Sequence, residues 1–424
     1  MKTIQSEAKF TFFESTGVII GHGVGAGILT VPYLVSRNNW WDFIWILLLA
    51  FGLNILLHLM IAELSYNNGG AQFVKCLQLS LFGRFSKKAQ KVIAIVCFAF
   101  LFLSVILNVC SYLAGGSASI ADLLHLFNEN INLPAWAGML IFFVFGALVV
   151  YFGMKIVGIS EKYTVFLMLA VMLVLTVTTF IFPLQSLPTN HETFSKTIIN
   201  MLALYGVISF ALSSVMSVPT VVKGLQGNIK KIRLSVICGT FINVCLIALL
   251  TFVTLLGVGK DNISEDGALV DLANSLMLKD NVVWVGVMAH IFSIFALLTS
   301  FWANTLNLRD IIAETASLNK KLCWLIASLP GLILALIFSA ISFTSFGMIA
   351  GGIQVITGVA IILAYHFSRK QAFEDYQKAD VKIEKDPLGP YPIIGKYGAV
   401  VFQVIVICSS LLASVGTIVK SFVK

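Results

Sequence analysis

Apolar runs long enough to cross a bilayer, ~20 residues each, recur from one end of this chain to the other, and no other feature constrains its fold as much. Eleven such runs occupy residues 12–36, 43–66, 92–120, 134–152, 163–183, 196–222, 234–259, 282–308, 322–341, 343–367 and 397–420. In hydrocarbon every backbone N–H and C=O needs a partner within the protein, so segments of this length read as helices. The chain is 58% hydrophobic and only 11% charged, against roughly 25% charged residues in soluble domains. The expectation is an all-α integral membrane protein with 11 transmembrane helices, one transmembrane domain over 1–424 and no soluble domain. The first run lacks a small-residue cleavage site and reads as a retained helix.

A net charge of +8 raises the question of nucleic acid, and the distribution of charge answers it. With the N-terminus in the cytoplasm and the sides alternating, most of the 28 Lys and Arg fall in cytoplasmic segments. Lys75, Arg84, Lys87, Lys88 and Lys91 lie in one loop, and Lys223, Lys230, Lys231 and Arg233 in another. The external loop at 260–281 collects Asp261, Glu265, Asp266, Asp271 and Asp280 instead. This bias orients a multi-pass cell-membrane protein with its N-terminus cytoplasmic and its C-terminus extracellular. The expected partners are lipid and a small substrate, with no nucleic acid and no obligatory protein partner. The seven cysteines lie in or beside spans without close pairing, and read as reduced packing residues. No Gly-rich phosphate loop, metal-ligand spacing or clustered nucleophile appears, so an ATP-driven pump, a cofactor and an enzyme are not expected.

The first run contains GVIIGHGVGAGILTVP, residues 17–32, in which Gly21, Gly23, Gly25 and Gly27 alternate. Each costs a helix ~1 kcal/mol relative to alanine. The sixth contains SFALSSVMSVPTVVKG, residues 209–224, where serines precede Pro219. Both read as interrupted helices running into similar tails, VPYLV at 31–35 and VPTVV at 218–222. Five crossings separate them, so they run in opposite directions, as in a five-plus-five inverted repeat that holds substrate and ion at midplane. The repeats would span 12–183 and 196–367, with 397–420 as an appended helix. GxxxG steps at Gly17, Gly21, Gly25 and at Gly23, Gly27 offer a plainer reading as helix-packing contacts. Glycines on two opposite faces and the matching break in span six favour unwinding.

Four stretches resemble the amino acid–polyamine–organocation superfamily, and among its members the amino acid/auxin permeases and the hydroxy- and aromatic-amino-acid permeases. GHGVGAGILTVP at 21–32 is similar to the first-helix Gly-x-Gly signature. ELSYNNGGAQFVKCLQLSLFG at 63–83, SYLAGGSASIADLL at 111–124 and FALLTSFWANTLNLRDIIAE at 295–314 are similar to helices two, three and eight. His22 departs from the small polar residue common at its position. The resemblance implies a leucine-transporter-type fold and secondary active amino-acid transport.

An unwound segment followed by a new helix presents free N–H groups and a positive dipole end. The amides of Gly25, Ala26 and Gly27 are therefore expected to hold an α-carboxylate, and the carbonyls of Gly23 and Phe210 an α-ammonium. Side-chain selectivity is assigned to Asn108 and Tyr112, one turn apart on span three, and to Phe210, Ser213 and Ser214. With no acidic residue near either break in the sequence, a neutral amino acid is favoured over a cationic one. The resemblance also implies a sodium site built from the carbonyls of Gly21, Val24 and Ala296 and the hydroxyls of Thr299 and Ser300. The family's second sodium site needs an asparagine where this chain has Ile28, so one ion at most is expected. Some proton-coupled relatives place a helix-five lysine in that position, whereas Lys162 stands at the edge of span five. Proton coupling, with His22 as the candidate residue, stays open beside sodium, and Thr299 and Ser300 could simply bond back to their own helix. Among the other ionisable groups in or near the ends of the spans, His58 and His290 read as core histidines, and Glu14 and Glu63 as gate or loop partners. A non-transporting amino-acid sensor is the alternative of another class.

Overall fold

The structure, a computed structural model, describes residues 9–81, 86–189, 194–264, 268–280, 283–316, 318–338, 343–378 and 390–419. Glu265 and Asp266 of the acidic loop lie outside these residues. Among the described residues, fifteen α-helices follow one another. The first five are α1 (Phe12–Gly23), α2 (Ala26–Ser36), α3 (Trp40–Asn67), α4 (Phe73–Ser80) and α5 (Lys87–Phe127). Next come α6 (Ala135–Tyr151), α7 (Met154–Ile181), α8 (Phe194–Ala211), α9 (Val218–Gly224) and α10 (Ile229–Val258). The last are α11 (Ala268–Asp280), α12 (Val283–Ala316), α13 (Lys320–Ile337), α14 (Phe343–Lys378) and α15 (Val400–Val419). Among the described residues, eight helical spans are long and apolar enough to cross a membrane, Phe194–Gly224 included, and the bent pair Phe12–Gly23 and Gly27–Ser36 makes a ninth.

Local chemistry sets the ends of the interrupted helices. Thr11 and Glu14 form a capping box that starts α1: the Thr11 hydroxyl accepts from the Glu14 amide at 3.3 Å, and the Glu14 carboxylate accepts from the Thr11 amide at 2.7 Å. Lys155 at the start of α7 donates to the same carboxylate at 2.7 Å. After Gly23 the chain breaks for two residues and resumes as α2 at 51° to α1. The two prolines expected to mark the breaks differ. Pro219 sits in the first turn of α9, where its missing N–H costs nothing. Pro32 lies inside α2, well beyond the break. The glycines, not Pro32, interrupt the first helix.

Two apolar cores flank the breaks. One gathers Ile19, Met216, Val218 and Leu297 with the ends of α3, α5 and α14. The other gathers Ile20, Val24, Leu212 and Ala296 with the remaining ends of the bundle. Neighbours in sequence (Ile19 and Ile20, Ala296 and Leu297) fall into different cores, so the polar breaks lie in a layer between them. The last helix, α15, packs on α8 through Gly206 and Gly416. A Cβ on Gly416 would overlap the Leu202 carbonyl and come within 3.0 Å of the Gly206 Cα. Gly416→Val is therefore expected to force two backbones apart and destabilise the purified protein by about 1–3 kcal/mol, read as a lower melting temperature in detergent.

Candidate functional site

The break in α1–α2 is a tight turn. Val24, at φ −77° and ψ 76°, is the centre of an inverse γ-turn, closed by the Gly25 amide donating to the Gly23 carbonyl at 2.9 Å. This corrects the expected clamp at one point, because the Gly25 N–H is already used within the turn. The amides left without an intrahelical acceptor are those of Ala26 and Gly27, in the first turn of α2. In the second break, the Ser213 amide donates to the Phe210 carbonyl at 3.0 Å. The Gly23 and Phe210 carbonyls each retain a second lone pair that could accept from a ligand.

Most of the expected substrate residues come together. Gly23, Gly25, Gly27, Asn108, Tyr112, Phe210 and Ser213, with His22, line one pocket between the two breaks and α5. Ser214 does not line it. Its hydroxyl donates to the Ile19 carbonyl at 2.7 Å and its amide to His58 Nε2 at 3.0 Å, so it ties the two broken helices together. His58 is thereby a structural pin, as the sequence suggested. The pocket encloses ≈ 10 Å³, room for about one water, so a larger ligand enters only when the surrounding helices part.

A second polar cluster lies beside the pocket. The Ser300 hydroxyl on α12 reaches three carbonyls freed by the break: Gly21 at 2.9 Å, Val24 at 3.2 Å and His22 at 3.4 Å. Thr299 bonds back to Ala296 of its own helix at 2.9 Å. Of the two hydroxyls assigned to a cation, one therefore crosses to α1 and the other satisfies a local carbonyl. Asn304, one turn beyond Ser300, donates to the Tyr112 hydroxyl at 3.2 Å and to the Ser300 carbonyl at 3.0 Å. Its place on the Ser300 face was legible in the i, i+4 spacing and went unused.

The glycines also serve close packing. A Cβ on Gly25 would come within 2.6 Å of Ser300 Oγ, one on Gly27 within 3.0 Å of Ala211, and one on Gly23 would overlap the Asn243 amide. A Cβ on Gly21 would overlap the carboxyl of Glu161, on α7. The fold thus brings an acidic residue against the first broken helix, although none lies near either break in the sequence. Span five was read as starting at residue 163, whereas α7 begins at Met154 and carries Glu161 two turns into the bundle.

From His22 a buried chain of hydrogen bonds leads towards the basic loops. His22 Nδ1 is 2.8 Å from Ser217 Oγ, Asn307 donates to Ser217 at 2.9 Å, and Thr220 donates to Asn307 at 2.8 Å. Gln72 donates through its side chain to Thr220 at 3.1 Å and through its backbone N–H to Glu314 at 2.8 Å. Glu314 is paired with Lys223 at 3.2 Å. Glu63 is equally occupied, by the Tyr365 hydroxyl at 2.9 Å and the Ile394 amide at 3.1 Å. Both carboxylates, expected as gate or loop partners, are paired within the protein: Glu14 with Lys155 at the start of α7, and Glu63 with Tyr365 and the Ile393 and Ile394 amides.

Interrupted helices that meet between two apolar cores, within a bundle of bilayer-length helices, define a membrane transporter of the broken-helix kind. The model of the tryptophan/tyrosine permease family matches residues 9–380, and the chain belongs to that family, a membrane amino-acid permease and not an enzyme. It is 25% identical over 310 residues to the tyrosine-specific transport system 1 of Haemophilus influenzae, covering 71% of this chain and 72% of that one. The fold is shared with MhsT, crystallised with L-phenylalanine, at a TM-score of 0.72 and 11% identity, over 97% of this chain and all of that one (100%). Mhp1, a nucleobase-cation-symport-1 family transporter, superposes at a TM-score of 0.64 and 11% identity, over 100% of this chain and 94% of its own. Expected membership of the amino-acid permeases and a leucine-transporter-type fold are thereby met.

Proposed function

We propose that the protein is a symporter that imports a neutral, aromatic L-amino acid by alternating access, coupled to a monovalent cation. The observation that carries this reading is the pocket where Gly23, Gly25, Gly27, Asn108, Tyr112, Phe210 and Ser213 converge. Its lining contains no carboxylate, so it offers a cationic side chain no partner, while the first amides of α2 face an α-carboxylate. An aromatic substrate is supported by the tyrosine-specific relative and by the phenylalanine held in MhsT. The reading includes eleven crossings, repeats at 12–183 and 196–367, an extra helix at 397–420, and a cytoplasmic N-terminus with an extracellular C-terminus. The chain from His22 to Lys223 then seals the cytoplasmic side and opens for release.

Sodium is proposed as the ion, held by the carbonyls of Gly21, Val24 and Ala296 with the hydroxyls of Ser300 and Thr299. A proton is the second reading, favoured by His22 in the pocket wall. The test is radiolabelled uptake into liposomes containing the purified protein, with a panel of amino acids under imposed sodium or proton gradients. Tyrosine, tryptophan or phenylalanine should be taken up and competed by one another, and not by lysine or glutamate. Tyr112→Phe, which removes the hydroxyl that Asn304 reaches, should shift preference among the three while uptake persists. An unchanged preference would remove Tyr112 from the selectivity wall.

A further inference from the structure

A second cavity lies beside the pocket between the two breaks, enclosed by α3, α8, α14 and α15. It holds ≈ 110 Å³, against ≈ 10 Å³ for the first. His22, Phe210 and Ser213 line both spaces, so one layer of side chains stands between them. The chamber also lies at the depth of the breaks. On its wall, Leu53 and Ala413 pack with one apolar core, and Met216 and Val406 belong to the other.

Most polar groups on this wall are engaged within the protein. On α15, Ser410 donates to the Val406 carbonyl at 2.8 Å and Ser414 to the Ser410 carbonyl at 2.8 Å. Ser409 bonds to the Tyr205 hydroxyl, and Asn54 on α3 donates to the Ala50 carbonyl at 2.9 Å. Ser209 on α8 is different. Its Oγ is buried and has no hydrogen-bond partner, although a helical serine can bond back to the preceding turn. A buried hydroxyl left unpaired is costly, and a hydrocarbon tail in the chamber would not relieve that cost.

An apolar cavity of about 150 Å³ takes benzene, so ≈ 110 Å³ is the scale of one aromatic ring and not of a whole amino acid. The pocket between the breaks is the reverse, with backbone groups for the part common to all amino acids and no room for a ring. We propose that the chamber receives the aromatic ring of the bound amino acid, and that the Ser209 hydroxyl pairs with the polar edge of that ring. The phenol of tyrosine donates to Ser209 or accepts from it, and the indole N–H of tryptophan donates to it. Phenylalanine leaves it unpaired. Phe210 stands between the two spaces, and swinging its ring aside joins them. The inference rests on the amino-acid transport reading above. It gives the ring end of the substrate to α8 and α15, while Asn108 and Tyr112 bound its amino-acid end.

The test is competition binding to the purified full chain, with radiolabelled L-tyrosine displaced by L-tyrosine, L-tryptophan and L-phenylalanine. Wild type is compared with Ser209→Ala, Ser209→Thr and Ala413→Leu, each checked by size-exclusion chromatography. Ser209→Ala should lower the preference for tyrosine over phenylalanine by roughly 3- to 10-fold, the effect of one lost hydrogen bond. Ser209→Thr, which keeps a hydroxyl, should retain the preference. Ala413→Leu narrows the chamber and should weaken tryptophan binding several-fold more than phenylalanine binding. A tyrosine preference unchanged in Ser209→Ala would overturn the proposal. So would an equal loss of all three ligands in Ser209→Ala and Ala413→Leu, the behaviour of residues that only pack the helices. If Ala413→Leu does not fold, the two Ser209 variants decide alone. Failure of the wild type to bind any of the three would instead sink the amino-acid reading on which the proposal rests.

Discussion

Gly25→Leu is expected to abolish binding of aromatic amino acids and, with it, all uptake. The first carbon of any side chain here would stand 2.6 Å from Ser300 Oγ and 3.2 Å from Ser300 Cβ, closer than packed atoms approach. The remaining carbons would have to enter the pocket that Gly25 lines with Tyr112 and Asn108. Two functions are struck together, since Ser300 is the hydroxyl that meets the Gly21, His22 and Val24 carbonyls. The backbone tolerates the change better than the pocket does: Gly25 has φ −125°, outside the left-handed region that favours glycine. A scintillation proximity assay with labelled tyrosine and tryptophan, beside size-exclusion profiles, reads both. A monodisperse Gly25→Leu protein that binds with wild-type affinity would place the carboxylate away from this turn.

Glycine alternation and serine before proline were enough to locate both breaks, because a helix interrupted in hydrocarbon needs residues that tolerate it. The interrupted stretches at residues 24–25 and 212–214 fall where the sequence put them. Asn108 and Tyr112 were legible as one face of α5 by the same periodicity. The γ-turn was not, since nothing in GHGVGAG says how tightly two residues will close, and that turn is what takes the Gly25 amide. Glu161 was missed for a different reason. In GISEKYTVF, Glu161 and Lys162 together look like the end of a loop, and hydropathy starts the span after them. Only the packing of α7 on α1, with Gly21 opposite, shows that the two neighbours part, Glu161 inward and Lys162 over Tyr163. The packing and unwinding readings of the glycines are not rivals here. The same positions let the chain break and let α7, α8, α10 and α12 approach it.

Ser300→Ala is expected to remove sodium stimulation of uptake, and Thr299→Ala to weaken it less. The family resemblance implies the same role for both hydroxyls, but their surroundings differ. Thr299 donates to Ala296, so its loss leaves one local carbonyl, in a helix where that carbonyl keeps its backbone partner. Ser300 faces three α1 carbonyls at 2.9, 3.2 and 3.4 Å. Calcium, close to sodium in radius, takes oxygen ligands at about 2.3–2.6 Å, which spaces neighbouring ligands by roughly 3.3–3.7 Å around an octahedron. The Val24 and His22 distances are near that spacing, and the Gly21 contact is an ordinary hydrogen bond. Removing the hydroxyl takes one oxygen ligand from the ion, an interaction with a charged group worth about 1.5–3 kcal/mol, which corresponds to a half-saturating sodium concentration raised by roughly 10- to 150-fold. Uptake measured against sodium at fixed substrate, for the two alanine variants side by side, reads that difference. An unchanged sodium dependence in both variants would mean that the cation does not sit at the α1 break. Wild-type uptake that ignores sodium and collapses with a proton ionophore would give the driving role to protons, leaving the Ser300 hydroxyl as the partner of the carbonyls that the broken helix frees.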